Sequence, residues 1–333
     1  MLRMLHTPDG VRDVYGDELR RKKQIMNAVS DVFDRYRYEG IETPTIEYFD
    51  VFSRETGTTP SRELYKFFDR DGNTLVLRPD FTPSVARAAA MYFEDAPRPL
   101  RLCYAGNTFV NTFDYRGRLK ESAQMGVECI GDASADADAE VIALTIDALK
   151  AAGLTEFQVS IGEVDFFKSL ISDSGLTEEQ VENIRSLISA KNFFGVEELL
   201  DRTEMSQARK SAFINLPKLF GGSEVLEKAR ALAIDDRSAA AIDRLDTISR
   251  ILEDKGLGGF ISFDFGALSK YKYYTGIIFS AYTFGSGEPV AKGGRYDRLL
   301  GYFGREDAAV GVGLSIDQIL ACRRRADRTG GTV

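Results

Sequence analysis

Four stretches of this chain carry side chains able to do chemistry. Leu77-Arg-Pro-Asp-Phe-Thr-Pro83 sets a guanidinium, a carboxylate and a hydroxyl close together. The run Phe109 to Gly131 holds Tyr115-Arg-Gly-Arg118 and then Gln124-Met-Gly-Val-Glu128. Lys272-Tyr-Tyr-Thr-Gly-Ile-Ile-Phe279 places two tyrosines side by side, and Lys292-Gly-Gly-Arg-Tyr-Asp297 is followed by Val310-Gly-Val-Gly313. A carboxylate such as Glu128 can pair an ammonium or imidazolium group, and tyrosine hydroxyls can donate to a ring nitrogen. The same groups would serve equally well to tie a sheet together by hydrogen bonds.

Other chemistries are excluded by what is missing. His6 is the only histidine. A Ser-His-Asp triad or an H-E-x-x-H zinc site would have to be built on it, and its polar N-terminal setting reads as ordinary surface. Cys103, Cys129 and Cys322 are far apart and odd in number, which argues for reduced thiols in a cytoplasm and against a disulfide framework or a metal cluster. Gly311-Val-Gly313 lacks the third glycine of a dinucleotide fingerprint and is read as close strand–helix packing. No G-K-[ST] phosphate loop occurs, so no nucleotide cofactor is expected. Arg323-Arg324-Arg325 reads as the solvated end of a helix.

The elements that must position these groups follow from pattern. The chain has 333 residues, 44% hydrophobic and 28% charged, enough for a sizeable core. Its formal net charge of −8 disfavours general binding to nucleic acid or anionic membrane, and no apolar run reaches membrane-spanning length. Ile25, Val29, Val32, Phe33 and Tyr36 form one helical stripe within Glu18 to Tyr38. Strands are expected at Leu75–Leu77, Arg101–Phe109, Ala123–Ile130, Phe157–Ile161, Phe260–Phe265, Tyr273–Tyr282, Pro289–Lys292 and Val310–Val312. Helices are expected through Ala86 to Met91, from Asp132 through Leu149, and from Ser315 to about Arg324. Between residues 166 and 255 the texture turns helical, with Thr177 and Gln180 placed as a capping box. Strands on both sides of a helical insertion, at hairpin-like spacing, predict an α+β fold with a mixed, mainly antiparallel sheet flanked by helices. The expected division is a discontinuous core, residues 1–165 and 256–325, an insertion at 166–255 and a tail at 326–333.

Taken in order, the four stretches resemble the catalytic domain of histidyl-tRNA synthetase, a class II aminoacyl-tRNA synthetase. Thr7-Pro-Asp-Gly-Val-Arg-Asp13 adds to the match, which runs from about residue 6 to 322. The resemblance implies a class II synthetase-like sheet. It also places Asp80, Thr82, Gln124, Glu128, Tyr273, Tyr274 and Tyr296 where the family holds groups near bound histidine, with Asp80 standing for a glutamate.

At the phosphate side the sequence departs from that family. Synthetases of this kind hold the reacting α-phosphate with three arginines. Here the corresponding residues are Val110, Ser269 and Gln318, and the acid that the family carries two residues beyond the first arginine is replaced by Thr112. Losing one guanidinium from a desolvated phosphate clamp costs roughly 2–4 kcal/mol of transition-state stabilisation. Lys270 or Lys272 could act only as a point charge, not as a bidentate fork. No catalytic residue is therefore assigned. Too few residues follow the last helix to form the anticodon-binding domain of a synthetase, and tRNA is not an expected partner, although Arg116, Arg118 and Lys120 keep a basic loop.

A synthetase-like core with these losses resembles the regulatory subunits of ATP phosphoribosyltransferase. Arg116-Gly-Arg118, the Lys-Tyr-Tyr-Thr-Gly run and Gly313-Leu-Ser-Ile-Asp-Gln318 look like that family's versions of the motifs. The resemblance implies a non-catalytic, cytoplasmic subunit without cofactor or metal, a homodimer within a hetero-oligomer. Its partner would be the short-form ATP phosphoribosyltransferase catalytic subunit (HisG), which joins ATP to phosphoribosyl pyrophosphate in the first step of histidine biosynthesis. Histidine would be the feedback effector. Two alternatives stand beside this one, a truncated amino-acid-activating enzyme and a stand-alone module sensing histidine or tRNA.

Overall fold

The computed structural model describes residues 5–53, 59–112, 119–268 and 273–328. The first apolar stripe folds as α1 (Gly16–Arg35), with Ile25, Val29, Val32 and Phe33 buried. Then come β1 (Glu39–Gly40), β2 (Ile46–Tyr48), β3 (Lys66–Phe68), β4 (Thr74–Leu77) and α2 (Thr82–Tyr92). Pro83 stands in the first turn of α2, where its missing N–H costs nothing. A long hairpin, β5 (Leu100–Phe109) and β6 (Glu121–Ile130), leads to α3 (Ala135–Ala151). The Ser134 hydroxyl caps α3 by accepting from the Ala137 N–H at 3.2 Å, and Asp136 and Asp138 sit in the first turn, favoured by the helix dipole. After β7 (Phe157–Glu163) the chain is largely helical: α4 (Val164–Ile171), α5 (Glu178–Ser189), α6 (Phe193–Asp201) and α7 (Gln207–Asn215), a two-residue β8 (Phe220–Gly221), α8 (Glu224–Arg230) and α9 (Asp236–Asp254). Thr177 and Gln180 make both halves of a capping box at α5. The chain closes with β9 (Ile261–Asp264), β10 (Ile277–Thr283), β11 (Ala291–Arg295), β12 (Ala309–Ser315) and α10 (Ile316–Arg328).

Nine strands form one sheet in the order β1-β5-β6-β12-β11-β10-β7-β9-β8. Among the described residues only the β1/β5 and β7/β9 pairs are parallel, so the sheet is mixed and mainly antiparallel, as expected. One face packs on α1, α3, α9 and α10 through a single buried cluster that extends into α5, α6 and α7. The other face carries a second cluster, built from α2, Tyr104, Tyr273, Tyr274 and Tyr296. A separate antiparallel sheet, β2-β4-β3, packs Val76 against Val51, Phe52 and Leu64.

Two strand expectations need correction. Expected to stop at Lys292, β11 runs through Gly293 and Gly294 to Arg295. Glycine weakens a strand in isolation, but here a side chain at Gly294 would strike the Tyr274 ring, its Cβ 2.6 Å from Cε1. The expected strand at Tyr273–Tyr282 starts four residues later, at Ile277. Its leading segment instead leans on β11, with the Thr275 N–H donating to the Arg295 carbonyl at 2.8 Å.

Candidate functional site

Successive strand residues point to opposite faces, so cross-strand register decides which groups meet. On the face away from α1 and α3, one row across the sheet reads Leu102, Glu128, Gly311, Gly294, Ile278, Gly162. The next row reads Tyr104, Gly126, Gly313, Lys292, Ser280. The glycines of these rows leave a trough. A Cβ on Gly311 would stand inside the Glu128 carboxylate, and one on Gly313 would overlap the Gln124 amide. Gly126 likewise makes room for the Tyr104 hydroxyl. Gly311-Val-Gly313 is thus a close-packing motif, as read from the sequence, but its neighbours are side chains of β6 rather than a helix.

Above this floor lies a cavity of about 1250 Å³. Asp80, Thr82, Gln124, Tyr273, Tyr274 and Tyr296 all line it. Glu128 sits beneath them, 1% exposed. Its carboxyl accepts a hydrogen bond from the Thr82 hydroxyl at 2.7 Å and another from Tyr296. Burial pushes the Glu128 carboxyl up to about 8; the two hydrogen bonds pull the other way, and the nearby Asp80 carboxylate adds to the rise. Asp80 accepts from the Phe81 N–H at 2.7 Å at the start of α2, and the Gln124 amide reaches it at 3.4 Å. Tyr273 packs against Tyr274 with ring centres 4.6 Å apart, and edge-on against Tyr296 at 6.1 Å. All seven expected residues therefore share one place, six on the wall and one under the floor.

Sequence reasoning missed one neighbour and singled out another, Arg78, that the structure turns away from the cavity. Tyr104 receives a hydrogen bond from Gln124 at 3.2 Å and stacks on Phe81 at 4.4 Å, while burial and the Glu128 charge hold its hydroxyl well above the usual range. Nothing local separates it from any core tyrosine of a strand; the only signal is Gly126, which faces it. Arg78 lies behind the cavity over the Phe81 ring at 4.0 Å, donating to the carbonyls of Asn107 at 2.9 Å and Thr43 at 2.7 Å. It is held by backbone carbonyls and does not line the cavity.

Val110 and Gln318 line the same cavity; Ser269, Lys270, Lys272, Arg116 and Arg118 lie outside the described residues. Among the described lining residues there are five carboxylates and four cationic side chains. Two of those cations, Arg12 and Arg324, are both spent on Glu18, at 2.5 and 2.8 Å. Of the carboxylates, Glu18 is taken by those two arginines and Asp317 pairs with Lys22 at 2.8 Å. Among the described residues no cluster of His, Cys, Asp and Glu could hold a metal ion, and no helix is long and apolar enough to cross a membrane. His6 is exposed.

Residues 10–319 match the family model described as histidyl-tRNA synthetase. The chain is similar to proteins named ATP phosphoribosyltransferase regulatory subunit. One from Acetivibrio thermocellus is 42% identical over 316 residues, covering 95% of this chain and 76% of the relative. One from Ruminiclostridium cellulolyticum is 41% identical over 325 residues, covering 98% and 78%. A crystal structure from Bacillus halodurans, described as an ATP phosphoribosyltransferase regulatory subunit/histidyl-tRNA synthetase, superposes with a TM-score of 0.89 at 35% identity, covering 99% of this chain and 90% of the other. Histidyl-tRNA synthetase from Nostoc superposes at 0.80 with 19% identity, covering 97% and 76%, which shows the shared fold alone.

Proposed function

The chain belongs to the histidyl-tRNA synthetase-like family that includes the ATP phosphoribosyltransferase regulatory subunits, and on that premise we propose how it works. It is a non-catalytic regulatory subunit of ATP phosphoribosyltransferase, acting in histidine biosynthesis with a catalytic partner subunit. Histidine is its effector, and the glycine-floored cavity is where the effector sits.

One observation carries this reading. One cavity brings together Asp80, Thr82, Gln124, Tyr273, Tyr274 and Tyr296, the residues expected on the amino-acid side, and is also lined by Val110 and Gln318, where the family resemblance calls for guanidinium groups. An apolar side chain offers nothing to charge growing on phosphate oxygens, and a neutral amide offers at most a hydrogen bond in place of a bidentate cation. A site of this kind binds an amino acid without activating it. The ligand ammonium would pair with Asp80 and Glu128, and the imidazole ring would lie among Tyr273, Tyr274 and Tyr296, where hydroxyls can meet its nitrogens. Regulation then needs only that the liganded and free forms contact the catalytic subunit with different free energies.

The homodimer expected for this family is supported by the small sheet. Cross-strand pairing puts Ile46, Tyr48, Leu75, Leu77 and Phe67 on its outer face. Ile46 and Tyr48 are 49% and 57% exposed. An apolar strip of this kind marks an interaction surface.

The test is phosphoribosyl-ATP formation by a short-form catalytic subunit, with and without this chain, then with histidine. Stimulation that histidine reverses is expected. An unchanged rate with no complex on a sizing column refutes the assignment, and histidine-dependent ATP–pyrophosphate exchange would revive the amino-acid-activating alternative.

A further inference from the structure

The tyrosine wall of the cavity is gripped from behind by two helices of the segment between β7 and β9. On α4, the Lys168 ammonium donates to the Tyr274 carbonyl at 2.9 Å, and the Val164 N–H donates to the Gly276 carbonyl at 3.0 Å. On the other helix, α9, Arg244 donates to Asp138 at 2.6 Å. Asp138 also accepts from Arg295 at 2.8 Å, and Arg295 lies between the cavity residues Gly294 and Tyr296 but points to the opposite face. The Arg295 and Asp138 side chains are 3% and 0% exposed.

The two helices are also locked to each other. The Ser169 hydroxyl of α4 donates to Asp235, which caps α9, at 2.7 Å. Arg237 of α9 pairs with Asp165 of α4 at 2.6 Å. A buried carboxylate stripped of its partners is strongly unfavourable, so Asp138, in the first turn of α3, keeps both arginines, and β11 and α9 shift together through α3 rather than part.

We propose that α4 and α9 are the responding element of the cavity: a bound amino acid that repositions Tyr274 and Tyr296 moves this helix pair as a unit through Lys168 and the Arg295–Asp138–Arg244 triad. The inference rests on the reading that the cavity takes histidine. It gives the helical insertion a part in regulation, as the body that carries ligand occupancy away from the sheet.

The experiment is hydrogen exchange of the full chain, followed by mass spectrometry, with and without L-histidine, alongside calorimetric titration. Histidine is expected to slow exchange in α4 and α9, by about threefold or more, as well as in residues 273–296. In Lys168→Met, which keeps the apolar stem and loses the donor, affinity is expected to fall about tenfold. The α4 and α9 protection should then be lost even at saturating ligand. Arg244→Gln, on the more accessible side of the triad, serves the same purpose should Lys168→Met not fold. Protection confined to residues 273–296 in the wild type, or kept in α4 and α9 by both variants, overturns the coupling while leaving the histidine site standing. Absence of histidine binding by the wild type overturns the site and the coupling with it.

Discussion

Glu128 offers the sharpest test of the site. Its carboxyl has an ordinary value of 4.5, and burial raises this to about 8 in the folded chain. Between these values the native state holds a proton that the unfolded chain has released. Its stabilising contribution is therefore complete below about pH 4.5 and lost as pH rises through about 8. At roughly 1.4 kcal/mol for each pH decade, the full loss is roughly 5 kcal/mol. Glu163, also buried and raised to about 8, adds a loss of the same sign. Urea unfolding of the ligand-free protein is expected to show stability falling from pH 5 to pH 9. Glu128→Gln, a neutral near-isostere, should flatten about half of that fall while matching the wild type at pH 5 within about 1 kcal/mol. Ligand binding reports on the same proton. An ammonium group favours the ionised carboxyl, so at pH 7 histidine should release up to about 0.9 proton, a yield visible when calorimetry is repeated in buffers of different ionisation enthalpy. A variant as pH-sensitive as the wild type, or histidine binding with no proton release, would refute the argument.

Three further outcomes follow from the packing. Gly311→Ala drives a methyl group into the Glu128 carboxyl and should cost about 1–3 kcal/mol in denaturant unfolding, together with histidine binding. Asp138→Ala leaves Arg295 and Arg244 without their shared partner and should cost about 3–5 kcal/mol; a loss below about 1 kcal/mol would show that the triad is not a closed buried unit. Tyr48→Glu on the outer face of the small sheet should yield a monomer in sedimentation with the circular-dichroism spectrum unchanged, because that side chain is exposed within one chain.

On the proposed reading the cavity would separate two properties that an amino-acid-activating site combines. Recognition of an amino acid needs a few well-placed polar groups, whereas activation needs fixed positive charge where phosphate charge develops. On the proposed reading, Val110 and Gln318 in place of arginine would remove the second and leave the first, although both sets line the same cavity.

Local features were legible in the sequence because their causes are local. The α1 stripe and the Thr177–Gln180 box depend on residues three or four apart; the box formed as read, and the stripe formed through Phe33, with Tyr36 just past the helix end. The co-linear motifs led to the synthetase-like fold and to the seven residues that meet at the cavity. What tertiary structure alone decided was orientation and charge. Gly293 and Gly294 look like a strand terminator by propensity, yet β11 continues through them because bulkier residues would strike Phe279 and Tyr274. Gly311 and Gly313 were matched to a helix but face Glu128 and Gln124, since pairing register, not spacing, chooses the neighbour. Tyr104 became part of the site only through its pairing with Gly126 across the hairpin. The protonation of Glu128 and the hold of Lys168 on Tyr274, 106 residues away, arise where distant segments exclude water together. Burial and long-range pairing are properties of the packed chain, so a one-dimensional pattern can name these residues but not set their charge or their partners.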